Sequence, residues 1–347
     1  MKKIKFIIIP VLVMSIFACR VFLGPDPDNN PYGIFEQVWK DFNEMYALME
    51  FKGIDWNAVY DHFSPQISSG MTDWELFDVL SDMLSVLDDA HVILSSPFAF
   101  SNSGGRFDSS NIEPFSLDVV KTYLNGGGTS AGNGMFLYGT FSSNPEIGYI
   151  YVAGFAYGMT GIGQSQDWTR DIDVIVQSLE HTSSLVLDIR GNRGGLPSNV
   201  EYIASRFVSV QKNYADVRTK NGPGRNDFSS PITMSIQGAG SNYTKPIVLL
   251  TNKQTISGGE WFTMALLTQD HVTHAGGTTM GAFSLAIERR LINGWLYNVS
   301  IQKITDMNGV CYEGIGIKPE HEVTNTSLEI ESDQDSQLEF AIDILVN

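Results

Sequence analysis

Cysteine is nearly absent from this chain: 347 residues contain only Cys19 and Cys311. Two such thiols exclude a cysteine-based zinc site, which needs three or four ligands. Basic residues are also scarce, with 22 Lys and Arg against 39 Asp and Glu and a formal charge of −17. A surface of that sign repels phosphate backbones and argues against nucleic acid as a partner. Long hydrophobic runs are missing too. The apolar stretch Phe6–Phe17 is too short for a comfortable transmembrane helix. What remains, 43% hydrophobic and 18% charged residues, describes an ordinary globular protein, and the length suggests about two domains.

Residues 1–19 read as an export signal: Lys2, Lys3 and Lys5 precede the apolar run, and Ile16-Phe17-Ala18-Cys19 closes it. The arrangement resembles a bacterial lipoprotein signal, in which the cysteine becomes the lipidated first residue, so a lipid-anchored protein of the cell envelope is expected. Removal of three lysines takes the formal charge to −17 − 3 = −20. With Cys19 acylated, Cys311 has no intrachain partner and no disulfide is expected. Residues 20–31, with Gly24, Pro25, Pro27, Asn29, Asn30 and Pro31, read as a linker.

From residue 32 the pattern is helical. Phe35, Val38, Phe42, Met45 and Met49 recur at helical spacing, Asp55 precedes a second helix, and Thr72 with Glu75 forms a capping-box pattern before Phe77, Leu80, Leu84 and Leu87. A helical unit over 32–94 follows. Residues 95–145 are rich in Gly, Ser and Asn, with weak strand runs at 112–120 and 135–140, and read as a connecting segment. Beyond 146, apolar strand runs (147–155, 184–189, 247–250, 272–275) alternate with helical ones (169–179, 199–207, 259–267). That alternation argues for an α/β domain with a largely parallel sheet over 146–347. Asn293-Gly294, between the strand-like runs 286–292 and 295–304, is a type I′ hairpin signal.

Four patches carry polar chemistry. Thr255-Ile256-Ser257-Gly258-Gly259-Glu260 follows an apolar strand and opens a helix, which places a serine hydroxyl where free N–H groups and the helix dipole favour a developing anion. A simple Ser N-cap gives the same pattern. Asp188-Ile189-Arg190-Gly191-Asn192-Arg193-Gly194-Gly195 is a glycine-rich turn after a strand: either a close approach to a ligand or a turn with no chemical role, with Asp188 and Arg190 able to pair. Asp88-Asp89-Ala90-His91 closes the helical unit with either a dipole-favoured cation or a general base. Glu313-Gly314-Ile315-Gly316-Ile317-Lys318-Pro319-Glu320 offers a carboxylate that either orients an imidazole or sits on a surface turn. His62, His181, His271, His274 and His321 lie outside these patches, and no metal or other cofactor is expected.

Taken together, these patches resemble the C-terminal processing (tail-specific) peptidase superfamily, closest to its tricorn-like and retinoid-binding-protein-like branch. The 188–195 run resembles the family's Asp-x-Arg-x-Asn-x-Gly-Gly loop, 255–260 its nucleophile motif, Asp89-Ala90-His91 its Asp-Gly-His element, Gly276–Gly281 its Gly-x-x-Thr-x-Gly loop, and 313–320 its Glu-x-Gly-Ile-x-Pro-Asp motif. The resemblance implies a ClpP/crotonase-like mixed α/β sheet with flanking helices, preceded by a small helical bundle. It implies a serine peptidase acting on peptides or proteins, with Ser257 as nucleophile, His91 as base and Glu313 as its orienting acid. Backbone N–H groups of Gly258 and of Gly194 or Gly195 would form the oxyanion hole. The tail-specific branch carries a lysine base just after Met280-Gly281, where Ala282 stands here, so a Ser-Lys dyad is not expected. Ala90 replaces a serine that the tricorn-like branch can carry, and residues 95–145 are too short for a full PDZ domain. Both features keep open a second reading: an inactive relative that binds peptide or an apolar ligand in the same cleft.

Overall fold

The computed structural model describes residues 27–104, 113–156 and 166–347. The export signal and Cys19 lie outside the described residues. At its centre is a seven-stranded mixed sheet. In chain order its strands are β3 (Thr129–Ala131), β4 (Phe136–Thr140), β5 (Ile147–Val152), β6 (Ser184–Asp188), β9 (Ile247–Thr251), β10 (Val272–Gly276) and β14 (His321–Glu322). Their spatial order is β14-β10-β9-β6-β5-β4-β3; β5, β6, β9, β10 and β14 run parallel, while β4 pairs antiparallel with both of its neighbours, β5 and β3.

The central strands are apolar without interruption because both faces are covered. Alternate side chains point to opposite sides. Ile150, Val152, Leu185, Leu187, Ile247 and Leu249 pack with the helices Asp171–Ser178, Pro197–Ala204 and Gly258–Leu266. Tyr149, Tyr151, Val186, Val248 and Leu250 pack on the other side against Leu117–Tyr123 and Ser336–Val346. The α/β domain with a mainly parallel sheet and flanking helices is therefore present.

The three N-terminal helices, Pro31–Met45, Trp56–Phe63 and Asp73–Ser85, start where their caps predict. Asn30 Oδ1 accepts the Gly33 N–H, Asp55 Oδ1 the Ala58 N–H, and Thr72 with Glu75 completes a capping box. Their apolar faces do not close on one another alone. Phe42, Phe77 and Leu80 share a core with Leu291, Trp295, Tyr297 and Val299. Tyr297 and Val299 belong to a second sheet of order β11-β12-β1-β2, made from β11 (Ala286–Arg290), β12 (Leu296–Ser300), β1 (Ile93–Ser95) and β2 (Phe100–Asn102), and Leu291 and Trp295 lie on the loop between its first two strands. A third sheet joins β13 (Gln302–Thr305), β7 (Lys212–Thr219) and β8 (Ile232–Ile236).

Three local expectations change. The strand run at 112–120 is instead helical from Leu117, with Ser116 capping the Val119 N–H, because capping and burial of Val119 and Val120 outweigh their β propensity. The weak strand run at 135–140 forms as β4, but with β3 it belongs to the large sheet instead of a connecting segment. The hairpin at Asn293-Gly294 forms, but Gly294 has φ 89° while Asn293 is not in the positive-φ region, so the turn is not type I′. Leu291 closes it by accepting from Gly294 N–H and donating to Trp295 O, as in a longer loop ending on a left-handed glycine.

Candidate active site

Strands β6, β9 and β10 are neighbours and parallel, so their C-terminal ends lie side by side. Each feeds one of the polar loops: β6 the Asp188–Gly195 loop, β9 the turn to Ser257, and β10 the Gly277–Gly281 loop. Clefts for ligands form at such carboxyl ends.

The first two loops are bonded to each other. Gly191 N–H donates to Asn252 Oδ1 at 2.9 Å, Thr255 Oγ1 to Ile189 O at 2.9 Å, and Ile256 N–H to Asn192 O at 3.0 Å. Beneath them Arg190 is fully buried, paired with Asp188 at 2.6 Å and Asp335 at 2.8 Å, and stacked over the Phe115 ring. The loop is thus a rigid platform.

Ser257 stands half-buried at the start of the helix Gly258–Leu266, with φ 59° and ψ −119°. An L-residue avoids that conformation, and a nucleophile held on a sharp strand-to-helix turn is a known place to find it. Gly194 has φ 76° and packs so closely that an added Cβ would sit 2.5 Å from Gly258 N and 2.7 Å from Ser257 Cβ. Only glycine fits there. The Gly194 N–H itself donates to Asn192 Oδ1 at 2.9 Å and is committed. The N–H groups of Gly195 and Gly258 have no hydrogen-bond partner among the described residues. They lie together, Gly195 N being 2.9 Å from where a Gly258 Cβ would stand.

His91 follows Asp88, which has φ 42°, at the turn between the third N-terminal helix and β1. Asp89 is buried and anchors this turn: Oδ1 accepts the His91 N–H at 2.8 Å and Oδ2 the Tyr46 hydroxyl at 2.9 Å. One ligating atom from each of Asp89, His91 and Glu313 lies within 4.8 Å of the others. The imidazole and the Glu313 carboxylate, 222 residues apart in sequence, are therefore neighbours. His91 Nδ1 and Glu313 Oε1 are both buried without a hydrogen-bond partner. Burial lowers the His91 pKa below its usual value, partly countered by Asp89. Burial, and then the Asp89 carboxylate, push Glu313 well above the usual carboxylate range.

One short segment joins the serine to the His–Glu pair. Ser257 N–H donates to Ala282 O at 3.1 Å. The next two residues, Phe283 and Ser284, donate their N–H groups to Glu313 Oε2 at 2.9 and 3.2 Å. Ala90 packs against Ile256, Met280 and Ala282, which brings the His91 turn onto the same segment. Neither of the two lysines after Ser257 belongs to this cluster: Lys318 pairs with Glu322 on the surface and Lys303 lies over the Phe51 ring.

Sequence reasoning missed the part played by Glu260. Its carboxylate is completely buried and takes four donors: Thr279 Oγ1 and Gly281 N at 2.6 Å on one oxygen, Ala282 N at 2.8 Å and Ser257 N at 3.1 Å on the other. Burial nonetheless pushes its pKa up to about 7. The only sequence signal is its place three residues after the helix cap, which marks a capping box and not the three long-range donors.

The model of peptidase family S41 matches residues 146–323, just over half of the chain, and that of the tricorn protease C1 domain matches residues 27–85. This chain belongs to peptidase family S41. It is 27% identical over 177 residues to the carboxy-terminal processing protease CtpA of Bacillus subtilis (strain 168) and 26% identical over 176 residues to CtpB of the same strain. These matches cover 50% of this chain and about a third of each relative, 34% and 33%. A structure of a candidate peptidase from Parabacteroides merdae ATCC 43184 is 28% identical with a TM-score of 0.81, covering 92% of this chain and 98% of that one. Mature CPAF superposes with a TM-score of 0.68 at 11% identity, over 91% of this chain and 96% of that one, which shows a shared fold.

Proposed function

We propose that this S41 chain is a serine peptidase that cleaves peptide or protein substrates through Ser257, His91 and Glu313. The observation that carries the proposal is the segment Ala282–Ser284, which bonds the serine on one side and the glutamate on the other. The imidazole, kept neutral at pH 7 by its depressed pKa, takes the Ser257 proton as the hydroxyl attacks the carbonyl. His91 Nδ1 and Glu313 Oε1 are neighbours, each without a hydrogen-bond partner in the structure; closing an Nδ1–H···Oε1 bond between them would orient the imidazole and support the cation that forms. The N–H groups of Gly258 and Gly195 hold the tetrahedral oxyanion; each such donor is worth on the order of 3 kcal/mol in the transition state. Gly194 makes room for this pair but does not donate.

We place the protein in the cell envelope, tethered through a lipid on Cys19. No described helix is long and apolar enough to cross a membrane.

The test is labelling of the full chain, in detergent, with a fluorophosphonate probe. Labelling of the wild type that is lost in Ser257→Ala and in His91→Ala is the expected result. A folded wild type that stays unlabelled overturns the proposal and favours the ligand-binding reading of the same cleft.

A further inference from the structure

We propose that Glu260 is a positioning residue, whose carboxylate sets the geometry of the nucleophile and of the Glu313 side of the triad together; this rests on the peptidase reading above. Glu260 sits on the first turn of the Ser257 helix, and its bond to the Ser257 N–H is what a helix cap would make. Its other three donors come from a different part of the chain. Thr279, Gly281 and Ala282 lie on the segment after β10 and converge on the same two oxygens. That segment passes on what it receives. Thr279 Oγ1 accepts the Ile317 N–H at 2.8 Å, Gly281 O accepts the Gly314 N–H at 2.7 Å, and the residues after Ala282 hold Glu313. Both ends of the Glu313–Ile317 motif therefore hang from a segment that Glu260 fixes.

Four donors on two oxygens require an acceptor at every position. Glutamine cannot supply this. Turned toward Ala282 and Ser257, its NH2 group opposes two N–H groups; turned toward Gly281 and Thr279, it opposes the Gly281 N–H while the Thr279 hydroxyl can turn to accept, so one or two hydrogen bonds are lost. The volume is unchanged, so Glu260→Gln changes hydrogen bonding and little else. Ser257 then loses the contact that helps hold its left-handed backbone conformation, and Ala282–Ser284 loses its register against Glu313.

The experiment is saturation labelling of the full chain with a fluorophosphonate, comparing the maximal rate kinact and the apparent affinity KI in wild type, Glu260→Gln and Thr279→Val. For Glu260→Gln, kinact should fall about 100-fold, as expected for a small displacement of reacting groups, with KI held within about threefold. Thr279→Val keeps the charge and removes one donor of four together with the acceptor of the Ile317 N–H, so a loss of about tenfold is expected there, which keeps the test open if Glu260→Gln fails to fold. A wild type that labels normally, with kinact unchanged in a folded variant, overturns the positioning role and leaves the peptidase reading standing. A rise in KI at constant kinact overturns it as well, because Glu260 would then shape the binding cleft. No labelling of the wild type removes both proposals.

Discussion

Ser257 occupies a region of backbone space that costs an L-residue on the order of 1–3 kcal/mol, and a buried carboxylate helps keep it there. That carboxylate has its own cost. Glu260 titrates at about 7 in the folded protein against 4.5 as a free group, with burial the main cause and its four donors working against it. The folded state therefore holds this proton more tightly than the unfolded chain between pH 4.5 and 7, and stability contributed here falls as pH rises through that window. The full shift corresponds to a loss on the order of 3 kcal/mol. Ionisation is also what completes the four-acceptor clamp, and the Glu260 charge is one of the causes that raise the Glu313 pKa. Between pH 5.5 and 7.5 the wild-type labelling rate should rise while urea-unfolding stability declines, and Glu260→Gln should flatten both trends. A labelling profile whose acid limb stays below 6.5 in both proteins would assign the dependence to His91 instead. At this scale the sequence was partly legible. The motifs mark where Ser257, His91 and Glu313 stand. Which glycine N–H is free, and that Glu260 collects donors from 20 residues away, depend on how loops meet in space, and no spacing rule encodes that.

At the scale of elements, the loop after β6 and the C-terminal helix Ser336–Val346 form one unit through Arg190. Asp335 caps that helix through the Leu338 N–H at 3.0 Å and uses the same oxygen to meet the guanidinium at 2.8 Å. Burial raises its pKa, but the charge and hydrogen bond of Arg190 together with hydrogen bonds from Asn325 and the Leu338 N–H leave it lowered. Asp335→Ala removes the helix cap and one of the two carboxylates on Arg190, which keeps Asp188, so it should cost roughly 2–4 kcal/mol in urea unfolding. Asp335→Asn keeps the cap and loses only the charge, and should recover about 1 kcal/mol of that loss. Equal stability of Asp335→Ala and wild type would show that the bridge contributes nothing. The central strands and their helices were readable from periodicity, because burial on both faces makes β5, β6 and β9 continuously apolar. The segments that escaped were the short or half-exposed ones: β3, the helix Leu117–Tyr123, and the β7–β8 pair with its exposed Ile232. Their side chains pack on neighbours distant in sequence, which a local window does not contain.

Considered as a whole, the molecule places its proposed base on one structural unit and its nucleophile on another, and the join between them is a continuous sheet. Strand β12 pairs with β1 through Leu94 opposite Tyr297 and Ser95 opposite Leu296. Around that pairing, Phe77, Phe98 and Trp295 form an aromatic cluster with centroids 5.6–5.9 Å apart. Arg289 adds an ion pair to Asp41 at 3.2 Å. A helical unit that merely leaned on a catalytic domain would be separable; this one shares its core. Expression of residues 113–347 alone would strip β12 of β1, one of its two partners, and uncover Trp295, Tyr297, Leu291 and Val299, a buried apolar surface of the kind that drives aggregation. The fragment should be insoluble or bind hydrophobic dye strongly. Co-expression with residues 27–104 should restore both solubility and, because His91 returns with that piece, fluorophosphonate labelling. Supplying 27–104 with His91→Ala should restore solubility alone. A soluble 113–347 fragment that labels at the wild-type rate would mean that the base comes from the large domain and that the shared sheet has no part in catalysis.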